Sequence, residues 1–454
     1  MIVMKFGGTS VAEAERIVRV ADIVRDRLDR KPVVVVSALG GVTDLLVRAI
    51  EASRVGDRER LEPTLADLER RHRWAASGAV ERNDVRHDLN LALDAVFEDL
   101  RQLLRSIRIL GEVTPRAADT LLAFGERLSS RIVAAAFAER GVPAAKLDAR
   151  EVMLTDDSHG AAEPDLPGIR ARCDELLRPL VEAGRVPVLG GFIGSTQSGE
   201  TTTLGRGGGD TSAAVFGCAM GAEEIQIWTD VDGLMTADPK LVGEARLLRR
   251  VSFAEAAELA FYGAKVLHPA TIAPAVQQQI PVWVLNSMQP DQTGTEILGE
   301  PACDAPKLAA VASRRGVCTV RVASKRMRID PGFLPRVLDA FDRRGLVPDF
   351  VVSSEVAVTL VLPERDQIEQ AARDLGGDVE VHVGRERAIL CIVGAGLAAD
   401  TEVRGRVLSA LAKVEPELVG LGGSASSVGA VFPAAGLESA VRRLHREFFE
   451  EAAE

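Results

Sequence analysis

Ile2-Val3-Met4-Lys5-Phe6-Gly7-Gly8-Thr9-Ser10 decides the architecture: a short, almost wholly apolar run ends in two glycines and two hydroxyl residues. Continuous apolar runs of this length suit parallel strands covered on both faces. Pro32–Ser37, Arg185–Leu189, Glu224–Thr229 and Pro281–Leu285 repeat the pattern. Between them lie helical patterns at Val11–Leu28, Pro115–Glu139 and Ile169–Ala183, the second with Thr114 as N-cap and Pro115 at its first position. Alternation of this kind predicts an α/β fold with a mostly parallel sheet between helices. Ligands in such folds sit beyond the carboxyl ends of the strands, where the glycine-rich segments fall.

Those segments carry the chemistry. In Lys5–Ser10, Gly7 and Gly8 let backbone N–H groups approach an anion, the next helix adds its dipole, Lys5 a positive charge, and Thr9 and Ser10 hydroxyls. No Gly-x-x-x-x-Gly-Lys is present, which excludes a P-loop. Ser37-Ala38-Leu39-Gly40-Gly41-Val42-Thr43-Asp44 repeats the design at the next strand end. Two such loops side by side suit phosphoryl transfer, which works mostly by positioning and charge neutralisation. Gly190-Gly191-Phe192 follows a third strand. Thr201-Thr202-Thr203-Leu204-Gly205-Arg206-Gly207-Gly208-Gly209-Asp210-Thr211-Ser212 then offers Arg206 as a planar fork for a carboxylate, and Asp210 at a predicted helix N-cap. Thr229-Asp230-Val231-Asp232-Gly233 through Lys240 is an acidic turn without EF-hand spacing. Glu126, after Gly125 in an apolar helix, reads as a half-buried carboxylate, structural or functional. Gly394-Ala395-Gly396 matches a dinucleotide fingerprint, but too little chain follows it for that domain.

Composition bounds the rest. A chain of 454 residues predicts two or three domains. A net charge of −11 argues against nucleic acid or an anionic membrane as partner. No apolar run reaches the roughly 18 residues that span a bilayer, and Met1–Phe6 does not resemble a signal peptide. Five scattered cysteines fit buried thiols in a reducing, cytoplasmic setting. Residues 56–111 form a charged helical insertion, either a cap or a dimer surface. The alternation breaks around Gly294–Lys307, and two α+β modules of about 70 residues each follow, a tandem repeat of a binding domain.

Together, Lys5–Val11, Gly125-Glu126, Thr201–Ser212, Thr229–Pro239 and Tyr262–Pro269 resemble the aspartate kinases of the amino acid kinase family, in the monofunctional form with tandem ACT domains. The resemblance covers essentially the whole chain. It implies a three-layer αβα kinase fold over 1–300, one ACT domain over 316–385 set within a second over 305–315 plus 386–454, and transfer from ATP to L-aspartate at the head of lysine, threonine and methionine synthesis. It places Lys5 and Asp210 at the transferring phosphoryl group. Ser37, Thr43, Glu126, Phe192 and Arg206 fall on the aspartate side, Glu126 facing the α-ammonium and Arg206 the α-carboxylate. Gly7, Gly8, Thr9, Ser10, Thr229, Asp230, Met235, Lys240 and Lys265 hold ATP, with Mg²⁺ on its phosphates.

Met327, Val347, Pro348, Asp349, Ser354 and Glu355 resemble a lysine-sensing pocket, and the family pattern implies a homodimer through the ACT domains, or a tetramer. Three residues depart from that pattern: Gly209 and Val347 replace common serines, and Met235 a tyrosine. The rivals are a kinase for glutamate or acetylglutamate, and a non-catalytic amino-acid sensor.

Overall fold

The computed structural model describes residues 1–263, 269–300, 308–324, 332–376, 379–421 and 424–450. They form two compact units. One comprises Met1–Leu234, Arg249–Phe253 and Val266–Glu300; the other comprises Met235–Leu248, Ala254–Lys265 and Pro301–Glu454.

The first unit is built on strands β1 (Ile2–Phe6), β2 (Pro32–Val36), β3 (Ala144–Lys146), β4 (Val186–Gly190), β5 (Ile193–Ser195), β6 (Thr201–Thr203), β7 (Glu224–Thr229), β8 (Arg250–Ser252), β9 (Val282–Asn286) and β10 (Thr295–Leu298). Eight of them make one sheet in the order β3-β4-β2-β1-β7-β9-β10-β8. Every neighbouring pair is parallel except β9–β10. β5 and β6 form a separate antiparallel ribbon. Alternation along β1 separates the faces: Ile2, Met4 and Phe6 join the large apolar core, while Lys5 points to the other face, where helix Gly208–Met220 packs.

Helices Arg58–Ala79 and Asn83–Leu110 occupy the predicted insertion. Leu61, Leu65, Leu68, Leu93, Phe97, Leu100 and Leu104 recur at helical spacing and are buried in that same core, so the insertion is a structural layer of this unit. The predicted helix over 115–139 is interrupted by a one-residue turn at Ala123, between Pro115–Leu122 and Phe124–Glu139. The predicted helix over 169–183 starts earlier, at Leu166, and widens into a π turn at Cys173–Leu177. Pro179, just beyond, has no N–H to continue the regular ladder.

The second unit carries one antiparallel sheet of six strands: β11 (Ala310–Ser324), β12 (Phe350–Ser353), β13 (Ala357–Pro363), β14 (Val379–Val393), β15 (Leu418–Leu421) and β16 (Ser427–Pro433), in the order β12-β13-β11-β14-β16-β15. β11 and β14 are each 15 residues long and run through the whole sheet. Register shifts between Arg315 and Val317 and between Val317 and Thr319 divide them: residues 310–315 pair with 388–393, and 319–324 with 379–384. Each half packs its own helices. Phe333–Asp342 and Ile368–Asp374 cover Val320, Val322 and Leu360, and Thr401–Ala412 and Leu437–His445 cover Leu390, Ile392 and Val428. The expected two modules therefore share one continuous sheet.

Cys173, Cys218, Cys318 and Cys391 are buried free thiols, as expected; Cys303 lies outside the described residues. Among the described residues no helix is long and apolar enough to cross a membrane.

Candidate active site

The sheet order fixes the site. β4, β2, β1 and β7 are consecutive neighbours and parallel, so the loops after Gly190, Val36, Phe6 and Thr229 emerge side by side at one edge. They line a cleft of about 790 Å³ with Lys5, Gly7, Gly8, Thr9, Ser37, Thr43, Glu126, Phe192, Arg206, Asp210, Thr229 and Asp230 on its walls. Residues separated by more than 200 positions in sequence thus converge, where parallel sheets place ligands.

Lys5 Nζ lies 2.6 Å from Asp210 Oδ1, and both side chains are largely shielded from water. Asp210 is not the N-cap expected from sequence. The helix begins at Gly208 with Gly207 as cap in the left-handed region (φ 74°), leaving Asp210 in the first turn. Gly209 packs between its neighbours: a Cβ there would stand 3.1 Å from Lys5 Cε and 3.2 Å from Ser37 Oγ. Phe192 holds a left-handed backbone (φ 67°), unusual for an aromatic residue. Its N–H donates to Ser212 Oγ at 2.9 Å, and its carbonyl accepts from Leu204 N–H at 2.9 Å, which ties the third strand end to the glycine-rich loop.

Glu126 is more deeply buried than its sequence reading implies. Oε1 accepts from the Ala38 N–H at 3.0 Å, and burial pushes the carboxyl up to about 7. The close packing is steric in origin: a Cβ on Gly125 would come within 2.7 Å of Ala38 Cβ, so only glycine lets this helix approach the β2 loop. Ser129 Oγ donates to the Ser37 carbonyl at 2.8 Å and braces the same loop.

Other expected residues are placed elsewhere. Ser10 is fully buried and shares a 2.7 Å hydrogen bond with Ser287, so its hydroxyl braces the loop from behind while Thr9 lines the cleft. Met235 and Lys240 belong to the second unit. Lys265 and Met327 lie outside the described residues. In the second unit Val347, Pro348 and Asp349 precede edge strand β12, and Ser354 and Glu355 follow it. Asp349 is ion-paired with Arg314, and burial still holds its carboxyl above the ordinary range.

Two features at or behind the cleft wall had no sequence signal. Asp119, 1% exposed, lies on the wall amid four donors. Arg71, from the insertion, donates to the Gly40 carbonyl at 3.3 Å. Neither belongs to a glycine-rich motif, and both partners are distant in sequence.

Residues 1–286 match the amino acid kinase family. Lysine-sensitive aspartokinase 3 of Escherichia coli is 34% identical, over 99% of this chain and 99% of its own length. Aspartokinase 1, chloroplastic, of Arabidopsis thaliana is also 34% identical, over 99% of this chain and 80% of its own.

The chain belongs to the aspartokinases of the amino acid kinase family.

Solved aspartokinase structures agree along the full length. E. coli aspartokinase III in complex with lysine and aspartate (T-state) matches with a TM-score of 0.87 at 32% identity, covering 99% of this chain and 100% of that one. The same enzyme in complex with aspartate and ADP (R-state) matches with a TM-score of 0.81 at 32% identity and the same coverage. As an aspartokinase, the chain is an ATP-dependent kinase acting on aspartate, with a C-terminal antiparallel regulatory sheet of ACT type.

Proposed function

We propose that the cleft seats aspartate and ATP end to end, with Lys5 and Asp210 flanking the phosphoryl group in transit. The observation that carries this is the shielded 2.6 Å Lys5–Asp210 pair at the meeting point of four strand-end loops. Lys5 neutralises charge that spreads onto the phosphoryl oxygens, and Asp210 holds the ammonium in place. Gly7, Gly8 and Thr9 cradle the phosphates, with Thr229 and Asp230 on the nucleotide side. Ser37, Thr43 and Phe192 border aspartate. Arg206 is exposed on the cleft wall and makes no ion pair among the described residues, so its fork is available for the α-carboxylate. Glu126, in contrast, is buried and suits the α-ammonium. The acceptor carboxylate is ionised at neutral pH, so no general base is needed.

Magnesium would enter with the nucleotide. Among the described residues no cluster of three His, Cys, Asp or Glu side chains forms a cage, which suits an ion held mainly by phosphates with one or two carboxylates.

For regulation, we read residues 316–385 as one ACT module within a second made of 305–315 and 386–454; the register shifts in β11 and β14 support that division. Lysine is the proposed effector, held by Met327, Val347, Pro348, Asp349, Ser354 and Glu355; the E. coli relative is named lysine-sensitive and was solved with lysine. The edge strands of the sheet, β12 and β15, expose Val351, Val352 and Leu421 and suit a homodimer. The buried free thiols fit the cytoplasm.

Steady-state kinetics of two variants test the site. Arg206→Ala should raise the aspartate KM at least tenfold and leave the ATP KM nearly unchanged, whereas Lys5→Ala should depress kcat. Unaltered aspartate KM in Arg206→Ala would remove the carboxylate clamp.

A further inference from the structure

Asp119 is a buried carboxylate on the wall of the cleft that no motif accounts for. It lies in helix Pro115–Leu122, whose start is fixed by Thr114 accepting from the Ala117 N–H. Its oxygens are crowded with donors. Thr203 Oγ1 donates to Oδ1 at 2.6 Å; Oδ2 accepts from the Thr203 N–H at 3.2 Å and the Gly160 N–H at 3.0 Å, and lies 3.0 Å from His159 Nδ1. Buried charge is tolerated when hydrogen bonds surround it, and removing such a hub leaves several donors unsatisfied.

What these bonds join is informative. Thr203 ends β6, and Arg206 follows three residues later. Gly160 belongs to a turn that abuts the same loop: Ala162 N–H donates to the Thr203 carbonyl at 2.9 Å, and a Cβ on Gly205 would come 3.1 Å from the Gly160 carbonyl oxygen. Asp119 therefore ties a helix, a turn and the ribbon at the root of the arginine loop. His159 extends the hub outward, its Nε2 lying 3.8 Å from Glu200, which pairs with Arg116 at 2.6 Å. Glu126 differs: it lines the same cleft and its Oε1 accepts from the Ala38 N–H, whereas both Asp119 oxygens already face several partners.

We propose that Asp119 is the positioning residue of aspartate recognition, holding the Thr203 end of the ribbon and the Gly160 turn so that Arg206 faces the substrate. It touches neither reacting group and acts through Arg206, so the proposal rests on Arg206 as the carboxylate clamp.

Four variants, Asp119→Ala, Thr203→Val, Arg206→Ala and Asp119→Ala with Arg206→Ala, are compared by initial rates with aspartate and ATP varied in turn. Asp119→Ala should raise the aspartate KM about tenfold while the ATP KM stays within about twofold. Thr203→Val deletes only the Oδ1 bond and should give about a threefold rise. Because Asp119 works through Arg206, the double variant should be no worse than Arg206→Ala alone. A general loss of folded enzyme would lower kcat and leave both KM values alone, which would overturn the proposal, as would additive effects in the double variant. If Asp119→Ala does not fold, Thr203→Val decides: an aspartate KM within 1.5-fold of native overturns it. An aspartate KM raised by Arg206→Ala but not by the other two would sink the positioning role and keep the clamp; no rise in any variant would sink the clamp itself.

Discussion

Glu126→Gln probes the ammonium site, and its size follows from burial. The carboxyl moves from an ordinary 4.5 to about 7, a differential cost to the charged form of about 3 kcal/mol. An ammonium ligand needs that charge. In the free enzyme at pH 6 only about a tenth of Glu126 is ionised, so kcat/KM for aspartate should fall about tenfold between pH 8 and pH 6, the pH dependence of kcat/KM reporting groups of the free enzyme. Glu126→Gln should abolish that slope. It should also lower kcat/KM at pH 8 by roughly 30-fold or more, since removing one partner of a buried charge pair costs about 2–5 kcal/mol. Stability moves the opposite way. A carboxyl with a raised folded pKa leaves the fold unpenalised below about pH 4.5, and the penalty grows as pH rises toward 7 and is complete above it. Without ligand, the glutamine variant should therefore gain stability over native at pH 8 and gain little at pH 5, read from urea unfolding monitored within the first unit. A variant that keeps the native acid slope, or matches native kcat/KM at pH 8, would refute Glu126 as the ammonium acceptor.

Gly125→Ala would push a methyl against Ala38 Cβ, and it should destabilise the first unit by about 1–3 kcal/mol in the same unfolding assay. In the second unit, lysine should inhibit turnover, and Asp349→Asn should raise the half-inhibitory lysine concentration at least tenfold; an unchanged inhibition curve would place the effector elsewhere.

Much of the first unit can be read from sequence because β1, β2 and β4 are short apolar runs that end at glycine or serine, and the other parallel strands are short and largely apolar. Lys5, Arg206 and Asp210 stand out as candidates because glycine-rich segments adjoin them, whereas Glu126, in a helix, stands out only through the family resemblance. The misreadings are local. Pro115–Glu139 contains one weak point, Gly125, but the turn falls at Ala123, the residue with the best helix propensity, so propensity does not mark it. Gly207, not Asp210, caps its helix because a left-handed cap favours glycine, and three consecutive glycines leave the start ambiguous. Ser10 looks like a phosphate ligand until Ser287, 277 residues away, is seen to claim its hydroxyl. Asp119 was illegible for the same reason: its partners, Gly160 and Thr203, are long-range, and one acidic residue in an amphipathic helix reads as solvated surface.

Phosphoryl transfer to the aspartate side chain is tested most directly by trapping the acyl phosphate with hydroxylamine while ADP release is followed, using aspartate, glutamate and N-acetylglutamate in parallel. Hydroxamate and ADP should form in equal amounts with aspartate, and at under about a hundredth of that rate with the other two, since one wrong methylene and one blocked ammonium each remove a buried contact. Equal turnover of glutamate, or ADP release without hydroxamate, would contradict the assignment.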